Sequence, residues 1–208
     1  MVRSFALEQR GGPGLACDGA MMMGHKYSLI ARWGPRAESA QECGARLAVM
    51  LSELAKANEV FGRWNEQGYR PAEWNRPFCT MPPRADELAT TDAAGLRRIL
   101  LAVVAGWEPD CAEVIEFGAH AETWPTAEAQ PPFRAGWMTY LAPRFGKGVA
   151  PPPEAISEQV PGGGLLMRAT HEPFALANPA HRAAVATIQR ALAPIQGMVR
   201  AGYSRSAS

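Results

Sequence analysis

The sequence predicts a mixed α/β (α+β) domain: a mixed, mainly antiparallel sheet with three main helices packed on it. Short segments whose apolar residues alternate with the period of a strand are separated by segments with helical spacing. Two further strand-like segments follow one another late in the chain, an order that sets helices against a sheet. The 208 residues, 47% apolar and 20% charged, suffice for one core without disulfide or metal support.

Residues 1–24 read as a flexible leader. They carry Gly11, Gly12, Gly14 and Gly19, end in Met21, Met22 and Met23, and hold no apolar stretch of signal-peptide length. An early start codon would give the same appearance, and a partner-binding arm is the rival reading. A single domain is expected over 25–200, followed by a flexible tail over 201–208.

The domain opens on a strand, in which Tyr27, Leu29, Ala31 and Trp33 alternate with Ser28, Ile30 and Arg32. Gly34 and Pro35 end it. Ser39 and Glu42 form a capping box for a helix over 39–57, whose apolar stripe is Cys43, Leu47, Met50, Leu51 and Leu54. Trp33 is assigned to the core, while Arg36 suits either an ion pair or a binding surface. Between 59 and 83, Phe61, Trp64, Tyr69, Trp74 and Phe78 are interleaved with Arg63, Arg70 and Arg76. That mixture suits base stacking, a loop-rich cover with Arg stems on ring faces, or a protein-binding patch; the near-neutral chain disfavours the first.

A second helix, capped at Thr91 or Asp92, carries an apolar run from 99 to 104 and is expected to be buried nearly all round. Gly106 and Pro109 stop it. Val114, Ile115 and Phe117 then read as a strand, as do 137–141 and, after Gly162, Gly163 and Gly164, residues 165–169. Pro151, Pro152 and Pro153 mark a long loop. Asn178 caps a last helix with Pro179 at its first position, and Pro194 ends or kinks it.

Charge separates the chain into regions. Twenty-one Lys and Arg nearly balance 20 Asp and Glu, so no overall positive field gathers nucleic acid. Yet no Lys or Arg lies between Arg98 and Arg134, where Glu108, Asp110, Glu113, Glu116, Glu122 and Glu128 accumulate. Some of these acids alternate with core positions and are expected to point outward, and the stretch reads either as a surface steering a basic partner or as merely solvated charge.

Enzyme signatures are missing. His171-Glu172 has no second His at helical zinc spacing, His25, His120, His171 and His181 are scattered, and no nucleophile elbow, phosphate loop or dinucleotide fingerprint occurs. Cys17, Cys43, Cys79 and Cys111 form no Cys-x-x-Cys pair and read as free thiols. A divalent metal on Asp92, Asp110, Glu113 and Glu116 is less well supported than a solvated acidic edge. No cofactor or metal is expected. No segment reaches transmembrane length, so no membrane contact is expected.

Several segments together resemble the immunity protein 52 family of bacterial polymorphic toxin systems. They are Trp33-Gly34-Pro35-Arg36, Trp107-x-Pro109-Asp110, 136–141, Thr170-x-Glu172-x-Phe174 and Asn178-Pro179-x-His181. The resemblance implies a cytoplasmic, non-enzymatic inhibitor of a cognate secreted toxin, often a nuclease with a restriction-endonuclease-like fold delivered by type VI secretion. It supplies no contact residues. On physical grounds the expected partner-binding set is Arg36, Trp64, Trp74, Trp107, Asp110, Glu113 and Glu116, with carboxylates standing where a nuclease would hold phosphates. A secretion-system adaptor and, less well supported, a small enzyme are the alternatives.

Overall fold

The computed structural model describes residues 27–33, 38–57, 65–66, 78–80, 93–116 and 131–204. Seven strands form one sheet: β1 (Tyr27–Arg32), β2 (Asn65–Glu66), β3 (Phe78–Thr80), β4 (Cys111–Glu116), β5 (Met138–Leu141), β6 (Ile156–Gln159) and β7 (Leu165–Arg168). Their order is β2-β3-β1-β4-β5-β7-β6, and every described pair is antiparallel. The helices are α1 (Ala40–Ala57), α2 (Ala93–Trp107), the short α3 (Pro143–Gly146), α4 (Pro179–Ala191) and α5 (Ala193–Ser204).

Register defines two faces, since directly paired residues share a side. One carries Leu29, Val114, Met138, Arg168 and Ile156 in a row across five strands; the other carries Ile30, Glu113, Thr139, Met167 and Ser157. Helix α2 lies on the first face, where Trp107 stacks on Trp33 with centroids 5.6 Å apart and Arg97 bonds Glu158. Its apolar run is buried on both sides because α1 packs behind it: a Cβ on Gly106 would stand 2.7 Å from the Arg46 carbonyl oxygen. Trp33 is core, as expected.

The capping box forms as read: the Ser39 N–H and hydroxyl both reach Glu42 Oε2 at 2.7 Å. The stripe of α1 is narrower than expected. Leu54 is buried and Leu47 and Met50 pack on the core, but Leu51 is 50% exposed, because a single helix covers a seam rather than a full face.

At the C-terminal end, the Asn178 side chain accepts from the Ala180 N–H at 2.9 Å, with Pro179 in the first turn. Helix α4 ends at Ala191, three residues before Pro194, as expected. Pro194 sits in the first turn of α5, where its missing N–H costs no helical bond. Helix α5 continues to Ser204, through the first residues of the expected tail. Gln189 and Gln196 fasten α4 and α5 to the strand-like segment before β5, through the Ala135 N–H and both backbone groups of Phe133.

Two elements fall in what reads as loop. Helix α3 follows β5 directly, and β6 pairs with β7 through a turn in which Gly162 and Gly163 take φ of +87° and +82°. Those values are ones only glycine adopts without strain. The leader, the caps at 91–92, Phe117 and most of the aromatic segment lie outside the described residues.

Candidate functional site

The acidic strand β4 is interior. Glu113 is 1% exposed, and its carboxylate is bonded by Arg32 from β1 and lies 3.1 Å from Arg134, both arginines also buried. Cys111, the cross-strand neighbour of Arg32, lies beside this cluster. Burial pushes its thiol up to about 12, although Arg32 pulls the other way. Asp110 is likewise buried, and Arg144 caps its carboxylate from the solvent side. Glu116 is half-buried and accepts the Leu176 N–H.

These placements overturn the outward-facing acidic arrangement expected for Asp110, Glu113 and Glu116. The cause is tertiary: β4 is the middle strand and is buried on both faces from Cys111 to Ile115, with Glu113 matched by Arg32 and Arg134 and Asp110 by Arg144. Of this stretch, Glu108 does reach solvent, where Arg46 binds it at 2.8 Å. Trp107 is buried against Trp33 rather than offered as an anchor. Arg36, Trp64 and Trp74 lie outside the described residues.

The Thr170-x-Glu172-x-Phe174 and Asn178-Pro179-x-His181 motifs fold into one knot. Thr170 Oγ1 donates to the Glu172 carbonyl at 2.9 Å. His181 is 5% exposed; its Nδ1 accepts the Ala175 N–H at 3.0 Å while Nε2 faces Glu172 Oε1 at 2.9 Å. With Nδ1 accepting a backbone N–H, Nε2 is the ring nitrogen left to donate to Glu172. The knot is tied to the sheet by Tyr27, whose hydroxyl donates to the Phe174 carbonyl at 2.8 Å, and by Trp137 Nε1 on the Thr170 carbonyl at 3.2 Å. Both ring nitrogens of His181 are committed to holding the turn before α4.

Away from these interior clusters, a cleft of about 230 Å³ opens between the N-terminal half of α2 and the β5-β7-β6 side of the sheet. Met138, Ile156 and Leu166 line it with apolar surface, and Arg97, Glu158 and Arg168 supply charge. Arg97 donates twice to Glu158, at 2.6 and 2.9 Å, which holds the Glu158 carboxyl below the usual carboxylate range. Sequence reading missed Ile156 and Glu158 because β6 reads as loop. The available signal was Ile156-Ser157-Glu158-Gln159 just ahead of the glycine turn, a hairpin pattern. Among the described residues no group of three or more His, Cys, Asp or Glu is arranged to hold a metal ion.

A family model described as Immunity protein 52 matches residues 78–202, from β3 into α5. The chain belongs to the immunity protein 52 family. The match takes in the knot, the cleft and all of β4 to β7, whereas β1 and α1 precede it. No curated protein matches this immunity protein. Membership implies that it binds a cognate toxin. No helix among the described residues is long and apolar enough to cross a membrane.

Proposed function

We propose that this immunity protein neutralises, in the cytoplasm of the producing cell, an antibacterial nuclease with a restriction-endonuclease-like fold delivered by type VI secretion. Family membership over residues 78–202 is the observation that carries the immunity part of this reading. A nuclease groove is basic because it holds phosphate. Burial of Asp110 and Glu113 argues against those two carboxylates occupying such a groove. It supports inhibition by contact away from the catalytic groove.

The test is co-expression with the toxin domain encoded beside this chain. Protection of the cells, a stable complex, and a complex that still binds DNA without cleaving it are expected. Absence of protection overturns the immunity reading. Protection against a toxin that leaves DNA and RNA intact overturns the nuclease assignment alone, and association with several secretion components instead of one toxin would favour an adaptor.

A further inference from the structure

We propose that the outer edge of β6 and the cleft beside it form the toxin-docking surface, and that they take an extended strand of the toxin carrying a carboxylate side chain for Arg168. This deepens the immunity reading and rests on it.

The backbone pattern of the β6–β7 hairpin supplies the first support. The Val160 N–H donates to the Gly164 carbonyl at 2.9 Å, and the Ala169 N–H donates to the Trp137 carbonyl at 2.8 Å on the other side of β7. Hydrogen-bonded pairs alternate in an antiparallel ladder. Ile156 and Glu158 therefore direct their backbone groups inward to Arg168 and Leu166, and Ser157 and Gln159 direct theirs outward. No other described strand pairs with that side, and Ser157, Glu158 and Gln159 are all exposed. The strand is short and carries one exposed charge, Glu158, but no Lys, Pro or bulge blunts it. Such an edge offers main-chain hydrogen bonds to an incoming strand, while neighbouring pockets select its side chains.

Charge supplies the second support. Arg97 makes both hydrogen bonds to Glu158, and the half-buried Arg168 guanidinium adds only a weaker charge attraction to the same carboxylate. The cleft thus holds one cation in excess over an apolar floor. Register puts Ile156, Glu158, Leu166 and Arg168 on the face that the cleft opens onto. A residue of the added strand opposite Ile156 would project to that side, where an Asp or Glu side chain meets Arg168 and its apolar neighbours cover Met138 and Leu166. A second copy of this chain that pairs Ser157 with Gln159 would set Glu158 against Glu158, and like charges directly opposite repel.

The experiment measures the affinity of the full chain for the toxin domain encoded beside it, together with amide hydrogen exchange. Proline at 157 removes an outward N–H without breaking the ladder. Ser157→Pro is expected to weaken binding at least about tenfold. Arg168→Gln is expected to weaken it several-fold and to reduce its salt dependence, with thermal melting showing both variants folded. In the wild-type complex the Ser157 and Gln159 amides should become protected, a readout that needs no variant. A wild-type complex in which those amides exchange as in the free chain, or in which folded Ser157→Pro and Arg168→Gln bind unchanged, overturns the docking site and leaves the immunity reading standing. A wild-type chain that binds no toxin overturns both. Concentration-dependent dimerisation abolished by Ser157→Pro overturns the choice of occupant.

Discussion

Strands β4 and β6 each carry a glutamate paired with arginine, and the two pairs live in opposite environments. Glu113 on β4 is 1% exposed between two buried arginines, while Glu158 on β6 keeps 41% of its side chain exposed beside an Arg97 that keeps 38%. The strands differ by position: β4 is the middle of the sheet and β6 its edge. In the middle strand a charge is retained only if it is matched at close range in a poorly solvated space. At the edge the same residues remain hydrated and their pairing adds little. Interior charge in this molecule is therefore bound into the fold, whereas edge charge stays open to solvent.

The largest effect that tests this contrast is removal of the central anion. Glu113→Ala leaves Arg32 and Arg134 buried together without their shared carboxylate. A loss of about 3–5 kcal/mol in urea unfolding is expected. A cost below about 1 kcal/mol would show that the cluster is hydrated and would dissolve the contrast.

Next is the backbone approach on the same strand. A Cβ on Gly136 would land on the Val114 carbonyl oxygen and within 2.9 Å of Ile115 Cγ2. Gly136→Ala should cost about 1–3 kcal/mol by overpacking, measured in the same urea titration. An unchanged midpoint would mean that the segment leading into β5 is free to lift off β4.

The periodic elements were legible in sequence because their signals are local. The capping box at Ser39, the Asn178-Pro179 helix start and the alternation of Tyr27 to Trp33 each depend on neighbours within a few residues. The candidate site was not. Six acids without an intervening base look like a surface until Arg32 and Arg134, 81 and 21 positions from Glu113, are brought onto it by pairing. Strand β6 was hidden for the converse reason: only one residue of its four, Ile156, is aliphatic, so its apolar alternation is weak. An edge strand needs little burial, and that is also what leaves it open. The knot around His181 lay between these cases, since its motif was visible as spacing but its purpose emerged from bonds to Tyr27 and Trp137.

A third test uses pH. Burial raises the Cys111 thiol from its ordinary 9.0 to about 12. A folded value above the unfolded one gives a contribution that is complete below about pH 9 and is lost as pH rises from there through about 12. Unfolding free energy should therefore fall with alkaline pH, and Cys111→Ala should flatten that fall while leaving the slope near neutrality unchanged. The thiol should also resist alkylation until the chain unfolds. Ready alkylation of Cys111 in the native protein would place water inside the cluster and weaken the contrast at its core.

The smallest expected effect on stability belongs to the edge. Glu158→Ala removes one half of an ion pair in which both side chains are more than a third exposed, and should cost under about 1 kcal/mol at moderate salt. Arg97 holds the Glu158 carboxyl below its ordinary value of 4.5, so this small contribution is complete above that pH and disappears as pH falls through the lower folded value. The substitution also frees Arg97 beside Arg168, raising the positive charge of the cleft. Toxin affinity should therefore hold or rise while stability barely moves. A loss of several kcal/mol in urea unfolding would mean that the β6 edge is bound into the fold as tightly as β4 and is not surface reserved for a partner.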